Sequence, residues 1–138
     1  MTARNGIIKF NGFLFPVLST LIYSLDGPDR KNPDCLFISD GNDNFVISFE
    51  KESCRLMDCP VKDYVEKKVD YGDRLLTIFY PDEKRNDLSM AYFAIDFNDK
   101  RCCGQINLKK REEDFSEQLS KTKILYEFAE GIEPEADV

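Results

Sequence analysis

The chain has 138 residues and a formal net charge of −7, and it contains no histidine and no tryptophan. This length is typical of one domain that buries a core without a disulfide or a metal ion. Hydrophobic residues make up 42% of the chain and aromatic residues 12%, as in folded proteins. Histidine is the commonest general base and zinc ligand. Because the chain lacks histidine, we expect no catalytic residue, no cofactor and no metal site.

A β-hairpin is predicted at the start of the chain. The dipeptide Asn11-Gly12 separates two runs rich in strand-forming residues, Ile7–Phe10 and Phe13–Phe15. Both residues tolerate the positive φ angles that a type I′ turn requires. Because Pro16 has no N–H group for a strand ladder, we expect the second strand to lie at a sheet edge or to bulge there.

Further strands are predicted after this hairpin, the first of them over 19–25. A second hairpin has the arms Cys35–Ser39 and Phe45–Glu50, which flank a polar turn over 40–44. In its second arm one face is predicted to be aromatic and apolar, whereas the other becomes polar toward the end of the strand. The residues on the aromatic and apolar face are Phe45, Ile47 and Phe49.

The segment 51–71 has two possible interpretations. Its apolar residues from Val61 to Val69 fit helical spacing, and Pro60 is acceptable at a first helical position. Its β-branched content favours an extended chain instead. We predict a short helix here, followed by a strand over Arg74–Tyr80 that ends at a proline.

A third hairpin is predicted over Ser89–Phe97 and Arg101–Leu108, with Phe93, Ile95 and Phe97 facing the core. Acidic residues 112–114 are typical of a helix start, and Phe115 and Leu119 then share one helical face. The period-two spacing of apolar residues over 123–129 predicts a strand. A single helix that ends at Gly131 is the alternative.

The predicted fold class is α+β. We expect a mostly antiparallel, curved sheet of seven or eight short strands in successive hairpins, with one or two helices. Residues 1–132 are predicted to form a single globular domain, and residues 133–138 a short, frayed acidic tail.

The five cysteines do not form a regular disulfide framework, because their number is odd and two are adjacent. We expect small, buried, reduced side chains rather than a zinc site. Since neither a signal peptide nor a membrane span is predicted, the expected location is the cytoplasm. The cysteines are Cys35, Cys54, Cys59, Cys102 and Cys103.

The net charge is confined to the last part of the chain. Residues 1–111 contain 17 basic and 17 acidic residues, whereas residues 112–138 contain two basic and nine acidic residues. Carboxylates beside aromatic rings suit binding to a basic protein surface, although acids at a chain end can also serve solubility alone. The candidate partner-binding residues are Tyr126, Glu127, Phe128, Glu130, Glu133, Glu135 and Asp137.

The sequence therefore predicts a small acidic, non-catalytic module that occludes a basic protein partner. Bacterial immunity proteins that neutralise nuclease toxins, and phage-encoded inhibitors of nucleic-acid enzymes, share this general profile. One alternative is a scaffold or oligomerisation subunit whose curved sheet packs against another chain, either a different protein or a second copy in a homo-oligomer. Another is a small-molecule-binding protein or an enzyme with a pocket inside the curved sheet, lined by phenylalanines and by Tyr23, Tyr64 and Tyr92. We expect no nucleic-acid partner, since acidic residues 112–114 directly follow the basic run 109–111.

Overall fold

The fold is α+β, with ten strands and two helices in the part of the chain that the structure describes. The structure is a computed structural model that describes residues 4–27, 33–41, 44–50, 63–85, 87–108 and 115–135. The elements are β1 (Arg4–Phe10), β2 (Phe13–Leu18), β3 (Ile22–Asp26), β4 (Cys35–Ser39), β5 (Phe45–Glu50), β6 (Tyr64–Asp70), β7 (Leu75–Pro81), β8 (Met90–Asp96), β9 (Arg101–Leu108), α1 (Phe115–Thr122), α2 (Ile124–Gly131) and β10 (Glu133–Pro134). The predicted fold class, α+β with a mostly antiparallel sheet, is confirmed.

The strands form two antiparallel sheets. A three-stranded sheet has the order β1-β2-β10, and a seven-stranded sheet has the order β3-β4-β5-β9-β8-β7-β6. The larger sheet consists of two runs of consecutive strands, β3 to β5 and β6 to β9. The pairing of β5 with β9 joins the two runs, with Ile47 opposite Ile106.

One face of the seven-stranded sheet carries most of the core. Residues that pair across strands share a face, and the pairings place Ile78, Phe93, Gly104 and Phe49 in one row. The three large side chains of this row are at most 1% exposed. The small sheet and α2 cover this face: the ring centroid of Phe49 lies 4.7 Å from that of Phe15 and 6.2 Å from that of Phe128.

The first hairpin forms as predicted. Asn11 and Gly12 have φ angles of 53° and 82°, and the pair Phe10 and Phe13 closes the turn. β2 continues through Pro16 to Leu18, and its pairing with β10 involves only Phe13 and Leu14. Within the described residues Pro16 therefore has a paired strand on one side only, which is compatible with its missing N–H group.

Two predicted elements are corrected by the structure. β6 occupies 64–70, where a short helix was predicted, and residues 51–62 lie outside the described residues. The strand predicted over 123–129 is wrong, because residues from Ile124 to Gly131 form α2. The alternative of one continuous helix is closer, but Lys123 adopts a left-handed conformation with φ of 54° and separates α1 from α2.

The chain after α2 is paired rather than frayed at its start. Glu133 pairs with Leu14 and Pro134 with Phe13, so the predicted tail begins as a short strand. The backbone N–H of Glu135 also donates to the carbonyl oxygen of Gly12 at 2.8 Å. Residues 136–138 lie outside the described residues.

Candidate functional site

The candidate partner-binding residues lie within 126–137, the acidic C-terminal segment. Those that belong to α2 are divided between its buried face and its outer face. Ile124, Leu125, Phe128 and Ala129 are buried, as the 3.6-residue period of a helix requires. The ring of Phe128 is 0% exposed and packs into the core. Phe128 therefore stabilises the fold and is not part of the candidate surface. The prediction that Phe128 and Tyr126 are both aromatic anchors for a partner is wrong for Phe128.

The outer face of α2 borders an open depression. Its volume is about 420 Å³, and it is lined by Lys67, Lys123, Tyr126, Glu127 and Glu130. Tyr126 and Glu127 are partly exposed, and Glu130 is exposed. The depression thus combines two carboxylates, two ammonium groups and one aromatic ring on the surface of the molecule.

Lys67 of β6 contacts the aromatic ring of Tyr126. Its Nζ atom lies 5.5 Å from the ring centroid, within the range of a cation–π interaction. The pKa of Lys67 is raised, chiefly by a side-chain hydrogen bond with Tyr126. Lys67 is therefore positively charged at neutral pH and holds the tyrosine ring at the rim of the depression.

Glu133 takes part in an ion pair with the buried side chain of Arg74. Arg74 Nη2 lies 2.8 Å from Glu133 Oε1 and 3.0 Å from Asp73 Oδ2. The pKa of Asp73 is lowered, chiefly by the hydrogen bond that Arg74 donates. The carboxylate of Glu133 is thus balanced by a cation from the turn between β6 and β7.

Glu135 lies close to two lysines. Its Oε1 atom is 3.7 Å from Lys9 Nζ, and its backbone carbonyl accepts a hydrogen bond from Lys100 Nζ at 3.1 Å. Both side chains of the Lys9 pair are largely exposed, so this ion pair contributes little to stability. Asp137 lies outside the described residues.

The structure therefore separates the predicted site residues into three groups. Tyr126, Glu127 and Glu130 meet at the depression, while Glu133 and Glu135 follow it along the chain and lie beside cations. Phe128 is in the core. The sequence analysis missed Lys67 and Lys123, which the fold brings to the depression from β6 and from the junction of the two helices.

The aromatic pocket predicted as an alternative is not assembled by these strands. Tyr23 lies on the core-facing side of β3, and its hydroxyl donates to the carbonyl oxygen of Pro16 at 2.7 Å. Tyr64 and Tyr92 lie on the opposite face of the sheet, with ring centroids 5.8 Å apart. The cause is the strand register, which assigns Tyr23 and this pair to different faces.

The cysteines differ from one another. Cys103 is disulfide-bonded, whereas Cys35 and Cys102 are free thiols. Burial raises the pKa of Cys102, so this thiol stays protonated and unreactive. The expectation that every cysteine is reduced is therefore wrong for Cys103, and the disulfide counts against the reducing environment predicted for the chain. Cys54 and Cys59 lie outside the described residues.

Within the described ranges, no cluster of three or more cysteine and acidic side chains is placed to hold a metal ion. Neither helix of this part of the chain is long and apolar enough to cross a membrane.

Comparisons with known proteins identify no relative. No protein-family model matches the chain, and neither the curated proteins nor the solved structures contain a match.

Proposed function

We propose that this chain is a non-catalytic binding protein that covers a basic surface of a partner protein with the outer face of α2. The observation that carries the proposal is the grouping of Glu127 and Glu130 with the partly exposed ring of Tyr126 around one open depression. Carboxylates attract lysine and arginine over long distances, and an aromatic ring adds contact area and cation–π attraction at short range.

The residues of the depression have distinct roles in this proposal. Glu127 and Glu130 accept hydrogen bonds from a basic side chain of the partner, and Tyr126 supplies the face on which that side chain lies. Lys67 and Lys123 line the same depression and disfavour a partner that offers only isolated cations. The preferred partner surface therefore presents basic groups next to an acidic or hydrogen-bond-accepting group.

In this proposal Glu133 and Glu135 attract the basic partner at long range but do not form direct contacts with it. Each forms an ion pair with a cation of its own chain, whereas among the described residues no ion pair within 4.0 Å joins Glu127 or Glu130 to Lys67 or Lys123. Binding would act by occlusion, as in the immunity-like and inhibitor-like profile of the sequence. A scaffold that pairs copies of this chain is the alternative function, and it depends on a different surface, the outer edge of β6.

Affinity capture from a lysate of the source organism tests the proposal, with retained proteins identified by mass spectrometry and then purified for titration. Wild type is compared with the double variant E127Q/E130Q. We expect a basic protein that binds wild type, binds more weakly as salt is raised, and loses roughly ten-fold or more in affinity to the variant.

A second double variant, E83Q/D99N, is the matched control. Glu83 and Asp99 are exposed and lie in the loops that follow β7 and β8, and their replacement changes the net charge by the same amount. Retention by this control together with loss in E127Q/E130Q assigns binding to the depression. Equal loss in both variants, or binding indifferent to salt, contradicts the proposal, provided that thermal melts show both variants folded.

A further inference from the structure

The outer edge of β6 is a strand edge with a self-complementary charge pattern. β6 is the last strand of the seven-stranded sheet, and among the described residues only β7 pairs with it. Val65, Glu66, Lys67 and Lys68 are exposed. We propose that β6 pairs with β6 of a second copy of this chain, antiparallel and about a two-fold axis at Lys67.

The backbone direction of β6 suits this pairing. The N–H of Tyr71 donates to the carbonyl of Arg74 at 2.9 Å, which places the odd-numbered residues in positions that hydrogen-bond toward β7. Hydrogen-bonding groups of a strand alternate in direction, so those of the even-numbered residues point away from β7. Glu66, Lys68 and Asp70 therefore present their backbone groups to the edge.

The side chains then select one register. With the axis at Lys67, Glu66 lies opposite Lys68 of the second copy, and the same pair repeats on the other side of the axis. Val65 lies opposite Val69 of the second copy on the other face. Opposite charges that face each other across strands stabilise the pair, and like charges destabilise it.

The neighbouring registers lack this complementarity. An axis at Glu66 places two copies of Glu66 opposite each other. An axis at Lys68 places two copies of Lys68 opposite each other and brings Glu66 opposite Asp70. Backbone hydrogen bonds form only where the even-numbered residues of one copy lie opposite even-numbered residues of the other. A pairing shifted by a single residue would place them opposite odd-numbered residues and would lose these hydrogen bonds.

The residue at the axis opposes the dimer to some extent. Two copies of Lys67 meet there, although each ammonium group lies beside Tyr126 of its own chain on the α2 side. Glu66 and Lys68 of one copy also form an ion pair, 3.4 Å long, that the dimer exchanges for pairs across the interface. The interface is one strand pair wide, so the dimer is weak and salt-sensitive.

Charge-reversal variants test the proposal by sedimentation equilibrium over a wide range of protein concentration. Wild type has a chain mass of 16.0 kDa and is expected to approach twice that mass as concentration rises. E66K and K68E each create two like-charge pairs and are expected to dimerise roughly ten-fold more weakly. The double variant E66K/K68E restores opposite charges and the wild-type net charge, so its dimerisation should return to the wild-type level.

Disulfide trapping tests the register. At a non-hydrogen-bonded position on the axis the two Cα atoms are about 4.5 Å apart, so K67C should cross-link to itself on oxidation. V65C is the matched control, because its two copies lie four residues apart along the strands, about 13 Å. Wild type carried through the same oxidation gives the background from the native cysteines.

Three results would overturn the inference: a wild type that stays monomeric at every concentration, a dimer that both single reversals leave unchanged, or cross-linking of V65C in place of K67C. A monomer would instead assign the charges of β6 to the prevention of edge pairing. Glu66 and Lys68 point to the sheet face opposite α2, so their variants leave the depression intact and test the dimer separately from the proposed function.

Discussion

At the scale of single residues, Arg74 connects the C-terminal segment to the sheet. Its side chain is 5% exposed. Nη1 donates to the carbonyl oxygens of Ala129, Glu130 and Ile132, at the end of α2. Its guanidinium carbon also lies 4.9 Å from the ring centroid of Phe97. A cation at a helix C-terminus satisfies carbonyls that have no partner within the helix.

Replacement of Arg74 by methionine is predicted to lower the free energy of unfolding by about 3–5 kcal/mol, because buried carbonyl groups lose a charged donor. Arg74→Lys keeps the charge but lacks the planar set of donors, so we expect an intermediate loss. Chemical denaturation at neutral pH measures both variants.

Arg101 provides the control for this prediction. It also pairs with a carboxylate, that of Asp96, but its side chain is 43% exposed. R101M is expected to cost less than about 1 kcal/mol. If R74M lowers the free energy of unfolding by no more than R101M does, the burial of Arg74 does not increase its contribution to stability.

Tyr23 gives the fold a dependence on alkaline pH. Burial raises its pKa above the usual 10.0, and its hydroxyl donates to Pro16 and accepts from the N–H of Leu18 at 3.0 Å. A raised pKa means that the folded state retains the proton longer than the unfolded state does. The resulting stabilisation is complete below pH 10.0 and is lost as pH rises through the pKa of the folded state.

The variant Y23F is therefore predicted to be less stable than wild type at neutral pH by about 1 kcal/mol, because two hydrogen bonds are lost. Above pH 10.0 the difference should shrink, since wild type then loses the phenolic proton. Urea unfolding at several pH values measures both curves. Parallel curves through the alkaline range would contradict the assignment to Tyr23.

The residues of the candidate site were predictable only in part. Tyr126, Glu127 and Glu130 stand out in the sequence as acids beside an aromatic ring. The burial of Phe128 follows from helical periodicity, and a period-two interpretation of the same residues puts it on the wrong face. Lys67 is 59 positions away in sequence from Tyr126, and no local pattern indicates that the two meet.

At the scale of elements, β9 depends on a glycine at its centre. The rings of Phe49 and Phe93 meet edge to face over Gly104, with centroids 5.4 Å apart. A Cβ atom at Gly104 would lie 2.7 Å from Phe93 Cζ and 2.8 Å from the backbone oxygen of Ser48. The backbone contact cannot be relieved by a rotamer change, so a larger residue must separate β9 from β5.

Gly104→Ala is accordingly predicted to destabilise the protein by about 1–3 kcal/mol through overpacking. Thermal and chemical unfolding measure the effect, and Gln105→Ala in the same strand serves as a control for the sheet's other face. A stabilising G104A would mean that the strands adjust without cost and that the glycine is not required for packing.

The hairpins were the predictable elements, because their turn residues and two-residue alternation are local signals. β6 was not predictable in this way. Val65, Lys68 and Val69 fit helical spacing as well as they fit a strand, and only pairing with β7 decides between them. The break at Lys123 is equally hidden, since a left-handed lysine has no distinctive sequence signal.

At the scale of the whole molecule, the fold reduces the charge separation seen in the sequence. Lys9, Arg74 and Lys100 belong to the neutral part of the chain, yet all three contact the acidic C-terminal segment. The sequence therefore overstates how acidic this end of the protein is. Glu127 and Glu130 of the same segment lie instead at the depression.

The order of the strands in the sheet also cannot be predicted from local sequence patterns, because it depends on contacts between residues that are distant in sequence. Each run of consecutive strands is predictable from its turns, but the choice of β9 as the neighbour of β5 depends on packing of the complete core. The predicted α+β class needed only the elements. The pairing of β10 with β2 needed the position of α2 as well.

The pairing of β5 with β9 also has a kinetic consequence. It joins residues 45–49 to residues 104–108, so every contact along it closes a loop of more than 50 residues. Within each of the two strand runs, every strand pairs only with the strand that precedes or follows it in sequence. Pairing between strands that are distant in sequence is slow, because the entropy of closing the loop is lost before the contacts between the strands form. We therefore expect the β5–β9 pairing to form late in folding, after the hairpins on either side, and the core that spans both strand runs to be completed with it.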